Sequence, residues 1–187
     1  MPGDDGYENT MINRAYVQRM ARYNRWQNEN LYGVADRLTA EERQRERGAF
    51  FGSIHKTLSH LLWGDQIWMS RFAAAPKPQG SIAQSVALYA EWEGLKSKRA
   101  DFDRRIIAWA DYIEPDWLAA EQTFFSGAIR VSRRSELIGF GSSGIVAWLG
   151  LSGRVCVRAV VTDLARRAPA HGRRTGGPCL RVAWPTA

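Results

Sequence analysis

At 187 residues, with 45% apolar and 11% aromatic side chains, the chain is long enough for one domain and a tail, and too apolar to be disordered. Its net charge of +7 divides unevenly: residues 1–127 hold 16 Lys and Arg against 17 Asp and Glu, a sum of −1, while residues 128–187 hold 10 Arg against 2 acids, a sum of +8. This excludes a broad basic nucleic-acid face on the first part, and the tail arginines, scattered among Gly, Ala, Pro and Val, lack the organisation of a nucleic-acid module.

Met1 to Asn9 is acidic and Gly-rich with no apolar stretch, so no signal peptide is expected and the chain is placed in the cytoplasm. The first long helix is predicted from about Thr10 to Leu38. Tyr16, Met20, Tyr23, Leu31, Val34 and Leu38 form one apolar stripe, with Gln27 filling its gap. Thr39-Ala40-Glu41-Glu42 has capping-box spacing and predicts a short helical turn before Gly48. A second helix is predicted from Ala49 to Ala74, where Ile54, Leu58, Leu61, Trp68 and Phe72 make a seam with Asp65 at the missing step. A polar group on such a seam needs a hydrogen-bond partner if it is buried.

Pro76 to Gly80 breaks the chain. A third helix is predicted to start near Ser81, with that serine as its N-cap. Leu88, Trp92, Leu95, Phe102, Ile106, Trp109 and Ile113 keep heptad spacing, Arg99 replaces one apolar step, and Pro115 ends the run. Trp117 to Phe125 reads as a connection, with Phe124 and Phe125 free to pack or to form a strand. These elements predict an all-α, up-down antiparallel helix bundle over residues 10–127. A fourth helix should close it after about residue 130.

That helix is degenerate or missing. Leu137 to Leu151, the longest apolar run at 15 residues, contains four glycines and is too short to span a bilayer. Val155 to Ala165 fits a strand or a short helix, and residues beyond 168 are rich in Pro, Gly and Arg. Residues 128–187 contain no Lys and no Tyr, a composition that GC-rich codons read out of frame would give. The reading is a frame change near Gly127 to Arg134, with genuine divergence or a poorly ordered basic extension as alternatives. Cys156 and Cys179 form neither a disulfide framework nor a metal knuckle.

Chemistry-bearing residues are few. His55 and His60 lie five apart on one helix, about 140° apart around its axis, so they cannot share a metal. His60 has Ser53, Thr57, Gly64 and Ile67 on its face, and a lone helical His is more often structural than a ligand. His171 sits in Ala-His-Gly-Arg-Arg and carries no motif. Asp101 and Asp103, like Glu91 and Glu93, splay onto different faces and read as solvated surface. Gly139 to Gly144 has the glycine spacing of a dinucleotide loop but no preceding strand pattern, and Asp163 alone is weak support for one. No phosphate loop, nucleophile elbow or CxxC is present.

Three segments together resemble a known family. Tyr23-Asn24-Arg25-Trp26-Gln27-Asn28 followed by Leu31-Tyr32, Phe50 to Leu62 followed by Asp65-Gln66-Ile67-Trp68, and Glu91 to Trp109 resemble the first three helices of the DinB/YfiT, or damage-inducible, proteins over residues 11–127. The resemblance implies a bacterial four-helix bundle, often a homodimer, acting on a small molecule. It implies a divalent metal, Zn or Ni, held by three histidines with positions left open for water or substrate. It also implies thiol-transferase or hydrolase-like chemistry. His60 matches the ligand on the second helix. The other two ligands belong to an H-x-x-x-H on the last helix, and no such pattern follows residue 127. His60 is therefore the expected metal ligand, the metal site is expected to be incomplete, and catalytic residues are unassigned. Asp65 reads either as a supporting partner of the site or as a buried structural acid. The rival reading is a non-enzymatic helical binding or dimerisation module.

Overall fold

The computed structural model describes residues 13–126 and 129–134. Three long helices form the body: α1 (Arg14–Ala35), α3 (Ile54–Phe72) and α5 (Trp92–Asp111). Short helices α2 (Ala40–Gln44), α4 (Ile82–Ser85) and α6 (Pro115–Ala119) sit in the connections. Each boundary has a local cause. Asn13 caps α1 by accepting from the Tyr16 backbone N–H at 2.9 Å. The expected capping box at α2 is present: Thr39 Oγ1 accepts from Glu42 N, and Glu42 Oε2 accepts from Thr39 N.

Two elements start later than their apolar pattern suggests. α3 begins at Ile54, because the chain first turns through Gly48 and Gly52, both at positive φ, and only then reaches the Ser53 cap. Ser81 opens only the four-residue α4, where Gln84 Oε1 accepts from its N–H. The long helix starts afresh at Trp92. Pro115 does not merely stop α5; it occupies the first turn of α6, where its missing N–H costs nothing.

Helix direction follows from which ends meet. The start of α1 meets the end of α5, since Arg14 donates to the Asp111 carbonyl at 2.8 Å. The end of α1 meets the start of α5, where Asp36 Oδ1 accepts from Trp92 Nε1 and Lys96 Nζ at 2.7 and 2.9 Å. α1 and α5 are therefore antiparallel. α3 and α5 run the same way: His55 lies beside Trp92 at one end, and Phe72 packs edge-on against Trp117 at the other. The connection between them returns along α3. Gln79 accepts from Trp63, Ser85 meets Ser59 and His60, and Tyr89 meets His55. The architecture is thus the expected all-α bundle, but with two neighbouring helices parallel instead of strict up-down alternation.

The core is built from Leu58 and Leu62 of α3, Leu95 and Ile106 of α5, and Val17, Ala21, Leu31 and Ala35 of α1. On α1 the buried face lies about one residue around from the apolar stripe. Tyr16, Met20, Tyr23 and Val34 are half-buried, while Asn24 and Asn28 point inward. Those two amides are buried because they have a carboxylate to bind there.

After α6 the chain forms an antiparallel hairpin, β1 (Glu121–Ser126) paired with β2 (Ile129–Arg134), with Glu121 opposite Arg134 and Ser126 opposite Ile129. Phe124 and Phe125 thus fall in a strand, one of the two outcomes that the sequence allows. The expected fourth-helix region, both cysteines, His171 and the Gly139 to Gly144 loop lie outside the described residues. No helix among the described residues is long and apolar enough to cross a membrane.

Candidate functional site

His60 sits on α3 at its seam with the returning connection. The ring is half-buried, stacked on Phe51 with centroids 3.9 Å apart and flanked by Trp63. Its Nδ1 lies 2.7 Å from Ser85 Oγ. The Ser85 hydroxyl donates its one hydrogen to the Ile82 carbonyl at 2.6 Å, so toward His60 it accepts. His60 therefore carries its proton on Nδ1, and its Nε2 lone pair has no hydrogen-bond partner among the described residues. Burial lowers its pKa, so the ring is neutral at pH 7. Ser85 is itself held, because its carbonyl accepts from the Ser59 hydroxyl at 2.6 Å and the residue is out of contact with solvent. A neutral imidazole with one nitrogen fixed by a hydrogen bond and the other bare is the state in which histidine ligates metal.

His55 does not share this role. It is buried, with Nε2 2.6 Å from the Tyr89 carbonyl, and it faces a different part of the connection, as the five-residue spacing requires. Among the described residues, no three His, Cys, Asp or Glu side chains come together in a way that could hold a metal ion. The described part fits one ligand of a metal site, not a site.

A second constellation lies in the core. Arg99 of α5 forks between two carboxylates: Nη1 donates to Asp65 of α3, and Nη2 donates to Asp103 at 2.6 Å. Asn28 and Asn24 of α1 donate to the same Asp103 oxygen at 2.9 and 3.4 Å. All five side chains are buried. Burial pushes Asp65 up to about 7 against the pull of Arg99, and it raises Asp103 as well. Burial opposes the charge on Arg99, but Asp65 and Asp103 outweigh it and hold the guanidinium protonated. Burial likewise raises the Tyr32 hydroxyl, which has no hydrogen-bond partner among the described residues. The cluster ties all three long helices together.

Asp65 is thus a buried structural acid. Its partner is Arg99, not His60, and the two polar gaps in the apolar seams of α3 and α5 fill each other. Asp103 differs from the surface reading of the Asp101/Asp103 pair. The two carboxylates do diverge, but only Asp101 turns outward, to Arg104. The missed signal was the pairing of Asn24 with Asn28 and of Arg99 with Asp103, each four residues apart and so each on one helix face.

The family model described as DinB family matches residues 11–137. The chain belongs to the DinB family. The match takes in α1 through the hairpin, and therefore both the His60 corner and the buried cluster. DinB proteins are generally metal-binding bundles, and His60 holds the position that the resemblance assigns to the second-helix ligand. Among curated proteins and among solved structures, nothing matches this DinB chain.

Proposed function

We propose that this chain is a DinB-type divalent-metal bundle, of metal-dependent enzyme descent, in which His60 is a prepared ligand of an incomplete site. The observation that supports it is the Ser85 hydrogen bond, which fixes the proton on Nδ1 of a neutral, half-buried imidazole. A divalent ion, Zn or Ni, would supply Lewis-acid chemistry of the thiol-transferase or hydrolase-like kind if the set of ligands were complete. A small-molecule substrate, a homodimeric assembly and a cytoplasmic setting belong to the same proposal. The test is thermal stability with added Zn²⁺ or Ni²⁺. A metal that binds only the folded state raises the melting temperature. The reading expects a small rise that vanishes in His60→Ala, and no rise at all would refute it.

The rival reading, a helical binding or dimerisation module without catalysis, draws on the large apolar side chains left in solvent. Phe50 is 92% exposed, Tyr112 80% and Ile82 59%. It shares the dimer with the first reading but expects no metal-dependent stability. A melting temperature that responds to metal through His60 contradicts it.

A further inference from the structure

The returning connection does not lie flat on α5. Between residues 75–79 and Leu88–Tyr89 on one side and the Lys98–Arg105 stretch on the other is a cleft of about 380 Å³, within the range of small-molecule sites. Lys77, Lys98 and Arg105 line it. All three are exposed, and none forms an ion pair among the described residues. Among the described residues the one acid on the wall is Asp101, which is engaged by Arg104. Three cations against one carboxylate leave the described lining of the cleft at +2, although residues 1–127 as a whole sum to −1.

Two further features limit what fits. Gln66 Oε1 accepts from the Tyr89 hydroxyl at 3.0 Å, which leaves the Gln66 amide NH₂ as a donor without a partner among the described residues. Pro76, Leu88 and Phe102 supply apolar wall beside the charged rim. An inorganic ion would use the cations and waste the apolar surface, and a neutral apolar molecule would do the reverse.

We propose that this cleft binds a small organic phosphate monoester. Its dianionic head lies among Lys77, Lys98 and Arg105, and its apolar body lies against Pro76 and Leu88. The charge matches: a phosphate monoester carries close to two negative charges above its second pKa of about 6. Arg105 offers paired N–H donors, and the lysines act as point charges. This site is separate from the metal position at His60 and does not depend on it.

The experiment is calorimetric titration of the full chain at pH 8 and low salt, with a chelator present so that metal plays no part. The probes are 1-naphthyl phosphate, inorganic phosphate and neutral 1-naphthalenemethanol. Naphthyl phosphate is expected to bind at least about tenfold more tightly than either other probe, a difference of about 1.4 kcal/mol. Lys98→Gln and Arg105→Gln should each weaken it about fivefold. Lys56→Gln, on α3 outside the cleft, should leave it unchanged. Raising the salt should weaken binding, because the rim is exposed. The proposal is overturned if naphthyl phosphate does not bind, if inorganic phosphate or the alcohol binds as well, or if both cleft variants, with unchanged circular dichroism, bind like the wild type.

Discussion

Replacing Arg99 with Met tests whether the buried cluster is ionic at its centre. The side chains of Arg99, Asp65 and Asp103 are 4, 5 and 3% exposed, so no water is at hand to replace the guanidinium. Removing one partner from a buried ion cluster costs about 3–5 kcal/mol, because the charges left behind are uncompensated. For a chain of this size that corresponds to a fall of about 10 °C in Tm. The loss should shrink at pH 5, since both carboxylates already bind protons more readily than usual and take them up once Arg99 is gone. The assay is urea unfolding followed by tryptophan fluorescence at pH 8 and pH 5. A companion variant in which the whole cluster is made apolar, Arg99→Met with Asp65, Asp103, Asn24 and Asn28 each replaced by Leu so that no buried amide loses its acceptor, should recover more than half of the loss, as apolar replacement of a whole buried cluster often does. A loss below about 1 kcal/mol at pH 8, or one equal at both pH values, would mean that the cluster is not held by the Arg99 charge.

Three further outcomes follow from the same geometry. Because the folded-state pKa of Asp65 is raised to about 7, the native state holds a proton that the unfolded chain has released. Its contribution is full below the unfolded value near 4 and is lost as pH rises through 7, so Asp65→Asn should flatten the fall in stability between pH 6 and pH 8 by about 1 kcal/mol in parallel urea titrations. Gly52→Ala should lose about 1–2 kcal/mol by the same assay, since φ is +80° there and a Cβ would sit 2.5 Å from Glu46 Oε2. The genomic DNA from codon 120 onward, read in all three frames, should yield an amphipathic helix carrying H-x-x-x-H in another frame. If no frame does, the frame-change account of residues 128–187 fails and the module reading moves ahead.

The helices were legible because an apolar period of 3.6 records which face is buried, and their ends were legible where a capping box or a Pro/Gly break marks them. The Thr39–Glu42 box and the break at Pro76 to Gly80 are of that kind. The late start of α3 was not, because Ala49 to Phe51 continues the apolar pattern while Gly52 at positive φ interrupts the backbone. The parallel run of α3 and α5 was not legible either: helix periodicity carries no direction, and the connection's path is set by Trp63, Ser59 and His55 holding successive parts of it. The His60 position was named from resemblance, but its partner Ser85 lies 25 residues away on a four-residue helix and leaves no local signal. Polar gaps in apolar seams are the clearest trace that the buried cluster leaves in the sequence. Asp65 and Arg99 fall where hydrophobic side chains would be expected, while Asn24 and Asn28 lie beside the α1 stripe, and all four are buried with Asp103 because each solves the other's desolvation.

The most direct test of the account is the metal content of the purified, dialysed protein, measured by elemental analysis for the wild type and for His60→Ala. One prepared imidazole without its companions predicts far less than one equivalent of Zn or Ni, with the two proteins alike. Close to one equivalent in the wild type, lost in His60→Ala, would mean that the chain completes the site with residues outside the described part and would contradict the claim that the site is incomplete.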